Sequence, residues 1–443
     1  RKLRTARQPH ILHCTGCRHA LPSGTIWGRH MLVTLRVRRL LAVAVSVALW
    51  PQMLCAAPDE ELLGKKKGYP IGTASNWSLD ESVRVGSFSN LDRIFPHNTL
   101  KRSPAPSMLK SAAKPPRITY KFDDRTLTLE DFLNRQRITG LMIIKDGEIL
   151  AEHYQYDRAP QHRLVSHSMA KSIVSLAIGM ALAEKKIRSL DDKAATYVPQ
   201  LAGSAYGETS IRNLLRMASG VRFREVYDGK DDLTRLGVKR AKEGTIPALR
   251  MFNEREAKEG MRFKYSSAET VALVAVLRAA IGGSVSDYLS ERLWQPMGAE
   301  ADATWITTRS DGYENGGGRF NAVLRDYARL GILLAADGAA NGKQIVPKDY
   351  LLEATSWRRH PEAFRPRKAM SYFGYGYQFW TYPGSKRRFA LLGVYGQSIF
   401  VDPELKLVLV ITAVARNASV GKESLAGERD ALWRGLLAQF GSW

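Results

Sequence analysis

Cysteine is nearly absent. The 443 residues hold three, Cys14, Cys17 and Cys55, and none follows position 55. Beyond that point no disulfide can staple the fold and no thiol can act as nucleophile. Cys14 and Cys17 form one CxxC, but no second CxxC or histidine pair completes a zinc set. The histidines after residue 57 are His97, His153, His162, His167 and His360, and none shows metal-ligand spacing such as HExxH. No metal and no organic cofactor are therefore expected. Acidic residues are missing from 1–57, which carry nine Lys/Arg. Without those nine, the formal charge of +23 falls to +14. The remaining cations lie in short scattered groups such as Lys65–Lys67 and Arg387–Arg388, with no recognition helix or finger spacing beside them. Nucleic-acid binding is not expected from so dispersed a charge. It suits anionic cell-envelope surfaces or acidic substrates better.

The apolar run Leu40–Trp50 is too short to span a bilayer. It follows Met31 and the basic Arg36, Arg38 and Arg39, and precedes Cys55-Ala56-Ala57. That order is a signal peptide over 31–57, with residues 1–30 as upstream, non-native sequence. The expectation is an exported bacterial protein, periplasmic or secreted, with no membrane span after cleavage. Gln52-Met53-Leu54 lacks the small residues of a lipid-attachment site, so no lipid anchor is expected. The rest, in a chain 44% hydrophobic and 25% charged, is ordinary globular sequence. Residues 58–117, rich in Pro, Ser and Lys, predict an extended N-terminal arm lying on a main domain over 118–443.

Within that domain, Ile138–Ile144 and Glu148–Tyr154 flank Asp146-Gly147, a hairpin signal. A helix is predicted from about Ser168 to Lys186, with Ile173, Val174, Ala177, Ile178, Ala181 and Leu182 at three- and four-residue steps. Further helices are predicted over Ile211–Met217, Thr270–Ala280, Asn321–Ala336 and Arg429–Phe440. Strands are predicted over Tyr375–Tyr382, Phe389–Tyr395, Ser398–Val401 and Lys406–Val414. Strands first, helices in the middle and strands again predict an α+β fold. One antiparallel sheet closes from both ends of the chain and is flanked by helices, with a mainly helical region beside it. No internal repeat is visible.

The chemistry centres on Val165-Ser166-His167-Ser168-Met169-Ala170-Lys171-Ser172. Residues three apart share a helix face, so Lys171 can reach the Ser168 hydroxyl. Serine needs such a base, and a lysine taken out of water loses its proton more easily. The helix N-terminus adds N–H groups that favour an oxyanion. Ser-x-x-Lys occurs four times, also at Ser107/Lys110, Ser111/Lys114 and Ser419/Lys422. Only Ser168/Lys171 opens a long apolar helix. An N-cap serine followed by a surface lysine would give the same spacing. A second element is Tyr265, at the mouth of the next apolar helix and 97 residues after Ser168. A tyrosine hydroxyl near a lysine ammonium has a stabilised phenolate and can relay a proton. A third is Leu392-Gly393-Val394-Tyr395-Gly396-Gln397, a glycine-bearing strand suited to supplying the second oxyanion N–H.

In this order the three elements resemble the serine β-lactamase and penicillin-binding superfamily, specifically the class C β-lactamase-like hydrolases that pair S-x-x-K with Y-x-N. Ser166–Ser172, Phe263–Thr270 and Gly393–Gln397 look most like the 6-aminohexanoate-dimer (nylon-oligomer) hydrolase group. The likeness covers roughly 118–443 and includes Ser210–Leu215, Leu293–Gly298, and Gly316–Gly318 followed by Arg325–Arg329. It implies a β-lactamase/transpeptidase-like fold, with Ser168 as nucleophile and Lys171 and Tyr265 as its activators. Around the substrate and oxyanion it implies Ser267, Val394, Tyr395, Gly396 and Gln397, and Tyr227 as a contact to the substrate amide. Ser267 stands where the superfamily usually has Asn. Val394-Tyr395-Gly396 replaces Lys-Thr-Gly, whose lysine helps hold a β-lactam carboxylate. That departure argues against efficient β-lactamase activity and leaves hydrolysis of a small-molecule amide or ester. The alternative is a non-catalytic protein of the same fold that binds peptidoglycan peptides or β-lactams. The sequence does not set the oligomeric state.

Overall fold

Alternation along two central strands organises the molecule. In Ile138–Lys145 and its antiparallel partner Leu407–Ala413, Leu141 pairs with Ile411, Met142 with Val410 and Ile143 with Leu409. Side chains on successive strand residues point to opposite faces. Met142, Ile144, Val408 and Val410 therefore enter one hydrophobic core. Leu141, Ile143, Leu409 and Ile411 enter a second core. A sheet buried on both faces needs cover on both.

The computed structural model describes residues 57–441, all within one compact unit. The expected signal peptide, upstream segment and three cysteines lie outside the described residues, save for Ala57. The main sheet has eight strands. Its order is Gly374–Tyr375, Trp380–Thr381, Phe389–Leu392, Ser398–Asp402, Leu407–Ala413, Ile138–Lys145, Glu148–Tyr154 and Lys110–Ser111. All pairs are antiparallel except the last. The sheet thus joins both ends of the domain. The first core packs helices Met169–Ala183, Ser267–Ile281 and Leu324–Ala335 against one face. Ser424–Phe440, Leu129–Arg135 and Glu81–Phe88 cover the other. This is the expected mixed α and β architecture, an antiparallel sheet flanked by helices.

Three local expectations need correction. Asn321–Ala336 is not one helix. Phe320–Val323 is a fully buried strand, and the helix begins at Leu324. Pairing with Arg163–Val165 and Ala303–Ile306 overrides its helical period. The strand at Phe389 stops at Leu392, because Tyr395 and Gly396 take left-handed φ of +60° and +99°. The segment 375–382 is split at Gln378, φ +63°. Its buried side chain bonds Leu214 O and Leu215 O and accepts from Thr270. Residues 58–117 contain the helix Glu81–Phe88 and the strands His97–Leu100 and Lys110–Ser111, each strand joined to a sheet.

Candidate active site

Strand Arg163–Val165 delivers the Ser168 turn. It is pinned by Phe320–Val323, and the Ser166 N–H donates to Phe320 O at 2.7 Å. His167 then adopts φ +43°, and Ser168 stands at the N-terminus of Met169–Ala183. The Ser168 side chain makes no capping bond, so the N-cap explanation of Ser-x-x-Lys does not apply here. Ser168 as a residue is half-buried.

Lys171 is 1% exposed. Its Nζ lies 3.0 Å from Ser168 Oγ and donates to Gly317 O at 2.6 Å. Burial lowers its pKa to about 8, against the pull of the Glu225 carboxylate. The same Nζ sits over the Tyr265 ring, 5.0 Å from its centroid. Ser168 is near enough to the Tyr265 hydroxyl to draw its pKa down slightly, so both Lys171 and Ser168 neighbour this ring. The expected phenolate does not follow. Burial, then Glu225, raises the Tyr265 pKa, and the lysine faces the ring. Tyr265 is therefore a neutral hydroxyl here. Its ring stacks on Trp380, 5.6 Å between centroids and 20° from parallel.

Glu225 is the residue that sequence reasoning missed. It accepts from Ser267 N at 2.7 Å, Ser267 Oγ at 2.8 Å and Tyr227 Oη at 2.9 Å. Ser267 and Tyr227, expected at the substrate, are thus gathered on one carboxylate beside Lys171. The Gly317 carbonyl was also missed as a functional group. The tight fit of its loop explains the glycines: a Cβ on Gly317 would lie 3.2 Å from Ser267 Cβ. Neither feature has a sequence signature beyond the Gly316–Gly318 run.

The 393–397 segment divides its roles. Tyr395 N–H donates to Ala418 O at 3.0 Å and is spent. Gln397 turns its amide inward, bonding Ala413 O at 2.7 Å and accepting from Ala413 N at 3.1 Å. That side chain anchors the turn and does not line the cleft. The backbone is different. Among the described residues no acceptor takes the N–H of Ser168 or of Gln397. Val394 is half-buried and packs against the second core, and a Cβ on Gly396 would meet Leu425 at 2.7 Å.

A separate hollow of about 370 Å³ is lined by Arg262, Phe263, Glu362, Ala363 and Lys368. It contains none of the three central groups, and the site is defined by the Lys171–Ser168 hydrogen bond and the Lys171–Tyr265 ring contact instead. Among the described residues no cluster of three or more His, Cys, Asp or Glu is gathered to hold a metal. No single described helix is long and apolar enough to cross a membrane; one bent pair, Ser267–Ile281 with Val285–Trp294, is by length and composition alone.

A family model described as Beta-lactamase matches residues 127–430. The chain is 26% identical over 359 residues to a 6-aminohexanoate-dimer hydrolase of Paenarthrobacter ureafaciens, spanning 77% of this chain and 89% of that protein. It is also similar to the solved structure of a Bacillus anthracis protein assigned as a 6-aminohexanoate-dimer hydrolase. There the TM-score is 0.73 at 23% identity, covering 82% of this chain and 96% of the other. EstCE1, described as a hydrolase with promiscuous acyltransferase activity, gives 0.52 at 20% identity, over 67% and 94%.

Proposed function

The chain belongs to the beta-lactamase family and is a hydrolase of it, and from that premise we propose that it cleaves a small-molecule amide or ester through an acyl-enzyme on Ser168. One observation carries the proposal: a buried lysine of lowered basicity holds its nitrogen 3.0 Å from the serine oxygen. Neutral Lys171 takes the Ser168 proton as Oγ attacks the substrate carbonyl. The oxyanion accepts from the unused N–H groups of Ser168 and Gln397. The Lys171 ammonium then passes that proton to the leaving nitrogen or oxygen, while Tyr265 stays a neutral hydroxyl and donates a hydrogen bond to it. The ammonium is held throughout by Gly317 O. Water enters where the leaving group was, and the same groups run in reverse to free the acid.

The relatives' names favour amides in one case and a hydrolase with acyl transfer in the other. The absent Lys-Thr-Gly lysine weighs against β-lactams. Export through the 31–57 signal belongs to the same reading and is checked by sequencing the N-terminus of the mature protein. The test of mechanism is Ser168→Ala. We expect 4-nitrophenyl ester turnover to fall about a thousandfold or more. Labelling by a fluorophosphonate, mapped by mass spectrometry to Ser168, should disappear with it. Full activity in that variant would sink the assignment, and a stoichiometric burst without turnover in the wild type would favour a binding protein. A parallel screen of short esters, linear amides, D-amino-acid peptides and a chromogenic cephalosporin fixes the substrate class.

A further inference from the structure

Among the non-glycine residues beside the site that hold left-handed backbone are His167 at φ +43°, Tyr395 at +60° and Arg319 at +60°. Such conformations persist where the surroundings over-determine them, and they gather at functional sites. Each is close in sequence to a group used above. His167 precedes Ser168, Tyr395 is two residues before Gln397, and Arg319 is two residues after Gly317. All three side chains engage the same segment, residues 77–95.

The His167 ring stacks on Trp77, 5.9 Å between centroids and 23° from parallel, and meets the Phe88 edge at 4.8 Å. Its pKa is pushed down to about 3 by burial, then by Arg319, and its Nε2 has no hydrogen-bond partner. An aromatic cage explains a neutral, unpartnered imidazole; a hydrogen-bonding role does not. Tyr395 meets Phe88 at 5.4 Å and His167 at 5.4 Å. Its other contact is the Arg84 guanidinium, 4.7 Å from the ring centroid. Arg84 is 2% exposed and is fixed in turn by Ser78 O at 3.0 Å and Ala415 O at 2.6 Å. Arg319 lies 4.9 Å from the Trp77 centroid and 4.8 Å from that of Phe95, with no carboxylate partner among the described residues. The cation is therefore held by aromatic faces. On its outer side the segment is tied down by Glu81 to Arg137 at 2.8 Å and by Asp92 to Arg163.

We infer that residues 77–95 act as a positioning clamp, with Trp77 and Phe88 fixing His167, Tyr395 and Arg319 and so setting the relative places of Ser168, the Gln397 N–H and the Gly317 carbonyl. Among the described residues no hydrogen bond, ion pair or ring contact joins the clamp to Ser168, Lys171 or Tyr265. It acts through the residues beside them, where a displacement of about 1 Å suffices to slow chemistry on the order of a hundredfold. The inference rests on the reading of Ser168 as nucleophile.

The test compares Trp77→Ala and Phe88→Ala, the milder Trp77→Phe and Phe88→Leu, and Trp433→Ala. Trp433 lies in the same hydrophobic core as Phe88 and stacks on Phe400, away from His167. For each, kcat, KM and the rate of fluorophosphonate labelling at Ser168 are measured well below that variant's own melting temperature. The clamp predicts a loss in kcat of about tenfold to a hundredfold in the alanine variants. KM should move by less than about threefold, and labelling should slow in parallel. The milder variants should recover most of the loss, and Trp433→Ala should lose stability while labelling at the wild-type rate. Should the alanine variants fail to fold, Trp77→Phe and Phe88→Leu must still label measurably more slowly than the wild type. Wild-type kcat and labelling in folded clamp variants, or an equal loss in Trp433→Ala, would overturn the inference. If the wild-type protein itself is not labelled at Ser168, the nucleophile assignment is what fails.

Discussion

Lys171 combines two opposed demands. Its nitrogen must be basic enough to take a proton and dry enough to lack one. Burial resolves this by lowering the pKa from 10.5 to about 8. For a neutral ester, kcat/KM should therefore rise with pH through an apparent pKa near that value, because the unprotonated amine is the competent form. A profile flat from pH 6 to 9 would remove Lys171 from the role. The same shift carries a stability cost. The folded pKa lies below the unfolded one, so the unfolded chain binds more protons between about pH 8 and 10.5, and wild-type stability rises with pH across that window. Lys171→Met is expected to abolish turnover yet stabilise the protein at pH 7. The shift is worth roughly 3 kcal/mol. Loss of the Gly317 hydrogen bond takes back about 1 kcal/mol. Urea melts at pH 7 and pH 10 check the sign: the advantage should be present at the lower pH and shrink at the higher.

At the level of elements, the helix Leu324–Ala335 shows how the sheet sets the site. Gly331 faces the sheet so closely that a Cβ there would lie 2.4 Å from Val408 Cγ1 and 3.3 Å from Ile399 Cγ2. Val408 and Ile399 are fully buried and cannot turn aside. Gly331→Val should cost about 1–3 kcal/mol by forcing helix and sheet apart. It is read as a lower denaturation midpoint at unchanged m. The preceding strand, Phe320–Val323, is hydrogen-bonded to Arg163–Val165, so displacing this helix also threatens the turn that presents Ser168. Glycine serves the site differently at Gly396, where φ is +99°, a left-handed conformation that glycine adopts without strain.

In the described residues two cores lie on the faces of the main sheet, and the Ser168 helix belongs to one of them. Met169–Ala183 and Ser267–Ile281 pack in the first core. The C-terminal helix Ser424–Phe440 closes the second, with Trp433 stacked 5.5 Å from Phe400. Trp433→Ala should cost about 3–5 kcal/mol of stability, seen by thermal or urea melts. Measured below its own transition, its kcat should stay near the wild-type value, because the lost ring lies across the sheet from Lys171. A large fall in kcat would mean that the two cores are coupled through the sheet.

The amino-acid order determined much of this by itself. The Asp146-Gly147 hairpin, the apolar helices after Ser168 and after Tyr265, and the returning C-terminal strands are each written in local periodicity or turn chemistry, which need no distant partner. Ser168 and Lys171 were legible for the same reason: a three-residue step on a helix is a local distance. What lay beyond the sequence depends on contacts between residues far apart. Phe320–Val323 is a strand only because two other segments pair with it. Glu225 reaches Ser267 across 42 residues and ties it to the nearby Tyr227. The Gly317 carbonyl reaches Lys171 from 146 residues away. The charge state of Tyr265 was decided last, by burial and by which part of its ring the lysine faces. Neither is a property of any single stretch of chain.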